Sequence, residues 1–203
     1  MIDVIDDGAL RVVTLDRPDK ANALTREMLA ALADTVERAA IDPGVKALVL
    51  TGRGKVFSAG ADLEEARNGL ATDGVWERLS GAIAEAPILT IAALNGTAAG
   101  GSLGMVLACD MRVAVPTAKL FYPVMKLGFL PQPSDPDRLA ALVGPARAKL
   151  ILMGGQKVAA EEALSMGLID RVSETPLDAA RALAEDVLGA DRAHIAAIKD
   201  MLR

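Results

Sequence analysis

Two short segments of small residues have the composition and position to bind a ligand through the main chain. Residues 57–63 (FSAGADL) follow a predicted strand, and residues 95–104 (NGTAAGGSLG) join a buried strand to a helix. Small side chains allow a ligand to approach the backbone closely, and a helix start offers free N–H groups. One N–H from each segment, converging on one point, would form an oxyanion hole. Tight turns and close packing explain the same composition equally well.

A dinucleotide-binding loop is an alternative interpretation of the second segment. Ala99-x-Gly101-x-x-Gly104 follows a strand and opens a helix, as such a loop requires. Its first glycine is replaced, however, and no acidic residue lies between Asp110 and Asp135 to bind a ribose. We therefore expect no nicotinamide cofactor.

The composition excludes several other classes of site. The 203 residues include one cysteine, Cys109, and one histidine, His194, which leaves almost nothing for a disulfide, a zinc site or a catalytic triad. The formal net charge is −5, and no cluster of Lys and Arg is present to bind nucleic acid. We expect no metal and no nucleic-acid partner.

Membrane association and secretion are also not expected. Residues 1–7 (MIDVIDD) lack the basic start and long apolar stretch of a signal peptide. Residues 86–109 carry no charge, but they contain a proline, an asparagine and four glycines, so a strand, a loop and a buried helix explain them better than a membrane span. The sequence predicts a cytoplasmic protein.

The elements that must position these segments alternate between strands and helices. Two apolar runs around the turn Asp6-Asp7-Gly8 predict a hairpin, and residues 25–40 carry apolar positions at helical spacing. We predict further strands at 45–51, 56–58, 88–94, 111–115 and 120–122, and helices around Trp76–Ile83 and at 102–109. This pattern is typical of an α/β fold. We assign residues 1–140 to an α/β core and residues 141–203 to a helical C-terminal region.

An ordered series of motifs resembles the crotonase (enoyl-CoA hydratase/isomerase) superfamily. The motifs are RPDKANAL at 17–24, FSAGADL at 57–63, the glycine loop at 95–101, ACDMRVA at 108–114, GPARAK at 144–149, EEAL at 161–164 and GLIDRV at 167–172. The resemblance implies a spiral of ββα units with a short helical C-terminal region. It also implies a homotrimer or a dimer of trimers, and an acyl-CoA thioester as the substrate, with no separate cofactor.

The resemblance also implies which residues form the site. The N–H groups of Ala61 and Gly101 would form the oxyanion hole that stabilises a thioester enolate. The positions expected to contact the substrate or its CoA are Lys20, Ala21, Ala23, Ala59, Ala61, Asp62, Leu63, Glu64 and Gly101.

The sequence departs from the superfamily at both of the usual acid/base positions. Gly104 and Val124 stand where the hydratases have glutamates, and neither residue can transfer a proton. Standard hydration is therefore not expected. Three functional hypotheses remain. The protein is an enzyme with a relocated acid or base, a decarboxylase of a malonyl-type thioester that needs no base, or an acyl-CoA-binding protein without activity.

Other ionisable side chains near these positions have simpler interpretations. Asp135 and Asp137 are interpreted as the N-cap and first-turn charge of a helix. Tyr122, beside Pro123, points either at the site or into the core. Cys109 is interpreted as a small buried residue.

Overall fold

The computed structural model describes residues 1–202, which form two β-sheets surrounded by helices. The strands are β1 Ile2–Asp7, β2 Leu10–Leu15, β3 Ala47–Gly52, β4 Val56–Ser58, β5 Leu89–Leu94, β6 Thr97–Ala99, β7 Met111–Ala114, β8 Lys119–Phe121, β9 Val158–Ala159 and β10 Arg171–Val172. The α-helices are α1 Arg26–Ile41, α2 Leu63–Arg67, α3 Val75–Glu85, α4 Ser102–Ala108, α5 Val124–Leu127, α6 Asp135–Val143, α7 Pro145–Leu152, α8 Ala160–Ser165, α9 Pro176–Gly189 and α10 Arg192–Asp200.

The larger sheet has six strands in the order β1-β2-β3-β5-β7-β10. The predicted hairpin is present as the antiparallel pair β1–β2, with Ile2 opposite Leu15, and the strands from β2 onward pair in parallel. The central strands β3 and β5 are mostly apolar and almost entirely buried because the sheet is covered on both faces. Helices α1, α3 and α4 pack on one face, and the buried Ala180 and Ala184 of α9 pack on the other.

The smaller sheet has the order β4-β6-β8-β9 and grows in step with the larger one. Strand β3 is followed at once by β4, β5 by β6, and β7 by β8, and a helix follows each pair. Each turn of the spiral thus adds one strand to each sheet, and a helix follows before the next pair of strands. This repeat is the ββα spiral that the family resemblance implies, and it confirms the predicted fold class.

The spiral brings three chain segments to one edge of the smaller sheet. Strands β4, β6 and β8 run parallel and lie side by side. Their carboxyl ends therefore meet, and the residues that follow them are 59–62, 100–101 and 122–124. Both small-residue segments are included, so the fold itself places them next to each other.

The C-terminal part contains short strands as well as helices. Strand β9 pairs with β8 in the smaller sheet, and β10 pairs with β7 in the larger one. No helix within residues 1–202 combines the length and apolar character that a membrane crossing requires.

Candidate functional site

A cavity of about 350 Å³ opens where the three carboxyl ends meet. Its walls come from the ends of β4, β6 and β8, from α2 and α3, and from α5 and the segment after it. The lining residues are Ala59, Ala61, Leu63, Ala66, Arg67, Ala71, Trp76, Gly100, Gly101, Tyr122, Pro123, Val124, Leu127, Phe129, Leu130 and Gln132. Most of these side chains are apolar, which suits a ligand with a hydrocarbon part.

The first small-residue segment is held by hydrogen bonds to the loop before α1. Ala59 N–H donates to the carbonyl of Ala21 at 3.0 Å, and the Ser58 hydroxyl donates to the carbonyl of Asn22 at 2.8 Å. The side chain of Asn22 is fully buried and fixes this loop through three hydrogen bonds of its own. The site therefore sits on a rigid main-chain scaffold.

Asp62 is occupied in bracing the segment. One carboxylate oxygen accepts a hydrogen bond from Arg17 Nη1 at 2.7 Å, and the other accepts from the N–H groups of Glu64 and Glu65 at the start of α2. The Arg17 hydrogen bond is the main reason that the pKa of Asp62 is below its usual range. Asp62 thus stays ionised and ties two loops together.

The two N–H groups expected to form the oxyanion hole have no acceptor within residues 1–202. Ala61 forms a parallel bridge with Leu24, in which the flanking residues Gly60 and Asp62 make the hydrogen bonds. The N–H of Ala61 therefore points away from Leu24. Gly101 is the N-cap residue of α4 and lines the same cavity. Two unpaired donors thus belong to residues that line one cavity.

The loops that carry these two donors touch each other. Gly60 has a φ of +92°, and a Cβ atom there would lie 2.7 Å from the carbonyl oxygen of Ala99 and 3.4 Å from the nitrogen of Gly101. Only glycine allows this approach.

A side chain at position 101 would collide with Trp76, even without a ligand in the cavity. A Cβ atom at this position would lie 3.0–3.2 Å from three carbons of the Trp76 ring. The indole is fixed by a hydrogen bond from Nε1 to the carbonyl of Leu70 at 2.8 Å. Bulk at position 101 would therefore first displace Trp76, which lines the cavity.

The two positions without glutamate have contrasting surroundings. Val124 is buried and gives the cavity an apolar wall. At Gly104, a Cβ atom would lie 2.9 Å from Oδ1 and 3.2 Å from Oδ2 of Asp135. A carboxylate from α6 thus reaches the place beside α4 from which a side chain at position 104 would extend.

The N-cap interpretation of Asp135 is wrong. Ser134 is the N-cap residue of α6, and Asp135 is its first residue, with only 1% of its surface exposed. Oδ2 accepts a hydrogen bond from the Tyr122 hydroxyl at 2.9 Å, whereas Oδ1 has no partner among the described residues. Burial raises the pKa of Asp135 to about 6 and also raises that of Tyr122. Asp137 is exposed, as its interpretation as first-turn charge requires.

The residues predicted to contact the substrate divide into two groups. Ala59, Ala61, Leu63 and Gly101 line the cavity. The remaining positions lie outside its lining and stay predictions for the CoA portion: Lys20, Ala21, Ala23, Asp62 and Glu64. Cys109 is buried, as predicted. No cluster of potential metal ligands occurs within residues 1–202.

Sequence reasoning missed several lining residues. The sequence predicts only a helix around Trp76 and no role for Gln132, yet both line the cavity. Gln132 Nε2 donates to the carbonyl of Ala71 at 3.0 Å, which links opposite walls. The only tryptophan of the chain, placed early in a helix, was the available signal for Trp76.

Comparison with known proteins gives a consistent result. A family model described as enoyl-CoA hydratase/isomerase matches residues 6–203. A Thermus thermophilus protein named as a candidate enoyl-CoA hydratase is 38% identical over 197 residues, covering 90% of this chain and 76% of that protein. A carnitinyl-CoA dehydratase of Salmonella enteritidis is 37% identical over 207 residues, covering 97% of this chain and 77% of that protein.

A solved structure has the same fold over the whole length of the chain. It is that of a candidate enoyl-CoA hydratase/isomerase family protein from Hyphomonas neptunium, with a TM-score of 0.91 and 34% identity. The match covers 100% of this chain and 81% of that structure.

Proposed function

The chain belongs to the enoyl-CoA hydratase/isomerase family of the crotonase superfamily, and from that premise we propose that it is an enzyme that binds an acyl-CoA thioester and stabilises its enolate. The observation that carries the proposal is the pair of unpaired N–H groups, on Ala61 and Gly101, bordering one largely apolar cavity. The acyl chain would lie along the apolar wall, with the thioester oxygen at the two donors.

The chemistry of an enolate explains why main-chain donors suffice. Negative charge develops on the thioester oxygen as the α-carbon loses a substituent, and two fixed N–H groups can meet that charge without reorganisation. One donor of this kind typically lowers a barrier by ~2.7–4 kcal/mol.

Addition of water is not part of the proposed reaction. The relatives include proteins named hydratase and dehydratase. In this chain the valine at position 124 places methyl groups where a carboxylate would be needed to activate water. The proposed activity is therefore proton transfer at the α-carbon, as in double-bond migration.

Binding and turnover of a small panel test the proposal. Isothermal calorimetry with 3-butenoyl-CoA, crotonyl-CoA, malonyl-CoA and NAD should show affinity for the thioesters and none for NAD. Conversion of 3-butenoyl-CoA to crotonyl-CoA would support the proposed reaction. Loss of CO2 from malonyl-CoA alone would identify a decarboxylase, and thioester binding without any turnover would identify a binding protein. Absence of thioester binding would reject the proposal altogether.

A further inference from the structure

A buried carboxylate stands directly behind the cavity wall. Asp135 is 1% exposed and Tyr122 is 4% exposed, but Tyr122 lines the cavity and donates its hydroxyl to Asp135 Oδ2. The second oxygen, Oδ1, is buried without a hydrogen-bond partner among residues 1–202. A carboxylate held in this way costs stability, because it has lost water without gaining full compensation.

The charges around Asp135 do not neutralise it. Glu77 of α3 approaches the start of α6, where its carboxylate binds the N–H and hydroxyl of Ser134. Arg138 is the nearby cation, but its Nη1 has no hydrogen-bond partner among the described residues. Helix α4, whose Gly104 lies beside Asp135, carries no ionisable side chain.

We propose that Tyr122 and Asp135 form the proton-transfer pair of this site, with Tyr122 exchanging a proton with the substrate α-carbon and Asp135 exchanging a proton with the Tyr122 hydroxyl behind it. The inference rests on the proposed enolate chemistry and assigns its acid and base. Tyr122 is the catalytic residue, since it borders the cavity, and Asp135 acts through it.

The proton transfer balances without any further reagent. The α C–H bond breaks, and its electron pair moves into the bond to the thioester carbon, leaving the charge on the thioester oxygen between the two N–H donors. The substrate proton binds to Tyr122 Oη while the hydroxyl proton of Tyr122 passes to Asp135 Oδ2. The reverse sequence delivers a proton to the enolate.

Asp135 provides the ionised base that Tyr122 alone cannot provide at neutral pH. Burial and the neighbouring carboxylate raise the pKa of Tyr122, so a free phenolate is not available at neutral pH. The pKa of Asp135 is about 6, so the carboxylate is ionised at pH 7–8 and can still be protonated in turn. A relay through the neutral Tyr122 hydroxyl allows the ionised Asp135 to act as the base for a substrate that it does not touch.

Deuterium exchange at the α-carbon measures this step. 3-Butenoyl-CoA is suitable because its α-protons are acidified by both the thioester and the double bond. In D2O, Tyr122→Phe and Asp135→Asn should each lower the exchange rate by about 10²–10⁴-fold, the usual contribution of a positioned acid or base. The double variant should lose little more than either single one, because the pair acts as a unit. The dissociation constant for the thioester should change by less than about threefold.

The pH dependence separates proton transfer from a structural role. In the unmodified protein the exchange rate should rise with pH around 6 and then level off, as Asp135 ionises. This rise should be absent from the residual activity of Asp135→Asn. A purely structural aspartate predicts a lower rate with an unchanged pH profile.

Relocating the carboxylate gives a gain of activity. Asp135→Gly should remove exchange, and Gly104→Glu alone should perturb the site, since its side chain would start 2.9 Å from Asp135 Oδ1. Gly104→Glu combined with Asp135→Gly should recover part of the exchange.

The possible failures can be told apart. If the protein binds no thioester, the proposed function is rejected. If it binds 3-butenoyl-CoA but exchanges no α-proton, or if Tyr122→Phe and Asp135→Asn both exchange normally, the proton-transfer pair is rejected while thioester binding stands.

Discussion

The indole ring of Trp76 fills the space that a side chain on Gly101 would occupy, with ring carbons 3.0–3.2 Å from the position of such a Cβ atom. The glycine therefore serves two purposes. Gly101 lines the cavity with an N–H that has no acceptor within residues 1–202, and its missing side chain lets α3 close one wall with an aromatic ring. Because Trp76 is the only tryptophan in the chain, its fluorescence reports on this wall specifically.

Replacing Gly101 in two ways should separate its two purposes. Gly101→Ala adds a Cβ against Trp76 but keeps the N–H. Gly101→Pro adds the same Cβ and removes the N–H, and the φ of −58° at this position suits proline. We expect Gly101→Ala to shift the fluorescence of Trp76 and lower α-proton exchange modestly. Gly101→Pro should lower exchange by a further 10²–10³-fold or so.

Gly81→Ala is the matched control for that comparison. It lies in α3 with Trp76, and a Cβ there would meet no atom within 4 Å. It should leave fluorescence and exchange unchanged. Equal activity of the alanine and proline variants at position 101 would show that this N–H does not contribute.

The sequence predicted the fold well because strand alternation and motif order depend on local residues. The strand and helix alternation and the two segments at 57–63 and 95–104 follow from apolar runs interrupted by glycine, whereas the ββα spiral followed from the family resemblance. The structure places both segments beside one cavity. Hydrogen bonds between loops distant in sequence, such as Ala59 to Ala21, could not be read from spacing.

The role of Asp135 could not be predicted because it depends on a contact across 31 positions. An aspartate at a helix start normally binds exposed N–H groups, and the residues around it gave no reason to expect burial. Its environment is set by Gly104 on α4 and Tyr122 after β8. Only the three-dimensional packing shows that the carboxylate of Asp135 lies where a side chain at position 104 would extend.

The ion pair between Arg17 and Asp62 should make a pH-dependent contribution to stability. Asp62→Asn retains an N-cap for α2 but loses the pair, and we expect unfolding free energy at pH 7 to fall by on the order of 1 kcal/mol. The pKa of Asp62 is lowered in the folded state, so the contribution is complete above the ordinary value of 3.8 and disappears as pH falls further. The difference in melting temperature between the two proteins should therefore shrink as pH falls below 3.8. A gap in melting temperature that is constant with pH would contradict this.

Crotonyl-CoA should bind but should not be hydrated at a significant rate. By the family resemblance, Val124 and Gly104 stand where two glutamates would add water, and the proposed Tyr122–Asp135 pair offers only one path for a proton. Loss of absorbance of the enoyl thioester, followed by spectrophotometry, is the measurement. Turnover of many molecules per second would show that another group activates water.

The protein should assemble as a homotrimer or a dimer of trimers. The segment after β8 leaves four large apolar side chains well exposed in a single chain, with Leu130 at 86%. The others are Met125, Leu127 and Phe129. Burial of such side chains favours association because apolar surface is removed from water. Light scattering at micromolar concentration should give three or six times the mass of the chain, and a monomer would contradict the prediction.

Asp135→Asn should slow proton transfer by about 10²–10⁴-fold and yet not weaken the fold at alkaline pH. The pKa of Asp135 is about 6 in the folded protein and has an ordinary value of 3.8, so the folded state binds the proton more tightly. For a raised carboxyl pKa, the stabilising effect is complete below 3.8 and is lost as pH rises through 6. The ionised form thus lowers stability at pH 8, and a neutral amide that still accepts from Tyr122 avoids this cost.

The melting temperature of Asp135→Asn, relative to the unmodified protein, should therefore be highest at pH 8 and should decline toward pH 5. Asp137→Asn, on the exposed side of the same helix, is the control and should show no such trend. A variant that is less stable at pH 8 than at pH 5, relative to the unmodified protein, would mean that the ionised carboxylate stabilises the fold. Slower α-proton exchange together with an undiminished melting temperature at pH 8 would indicate that the carboxylate of Asp135 serves proton transfer and lowers the stability of the fold.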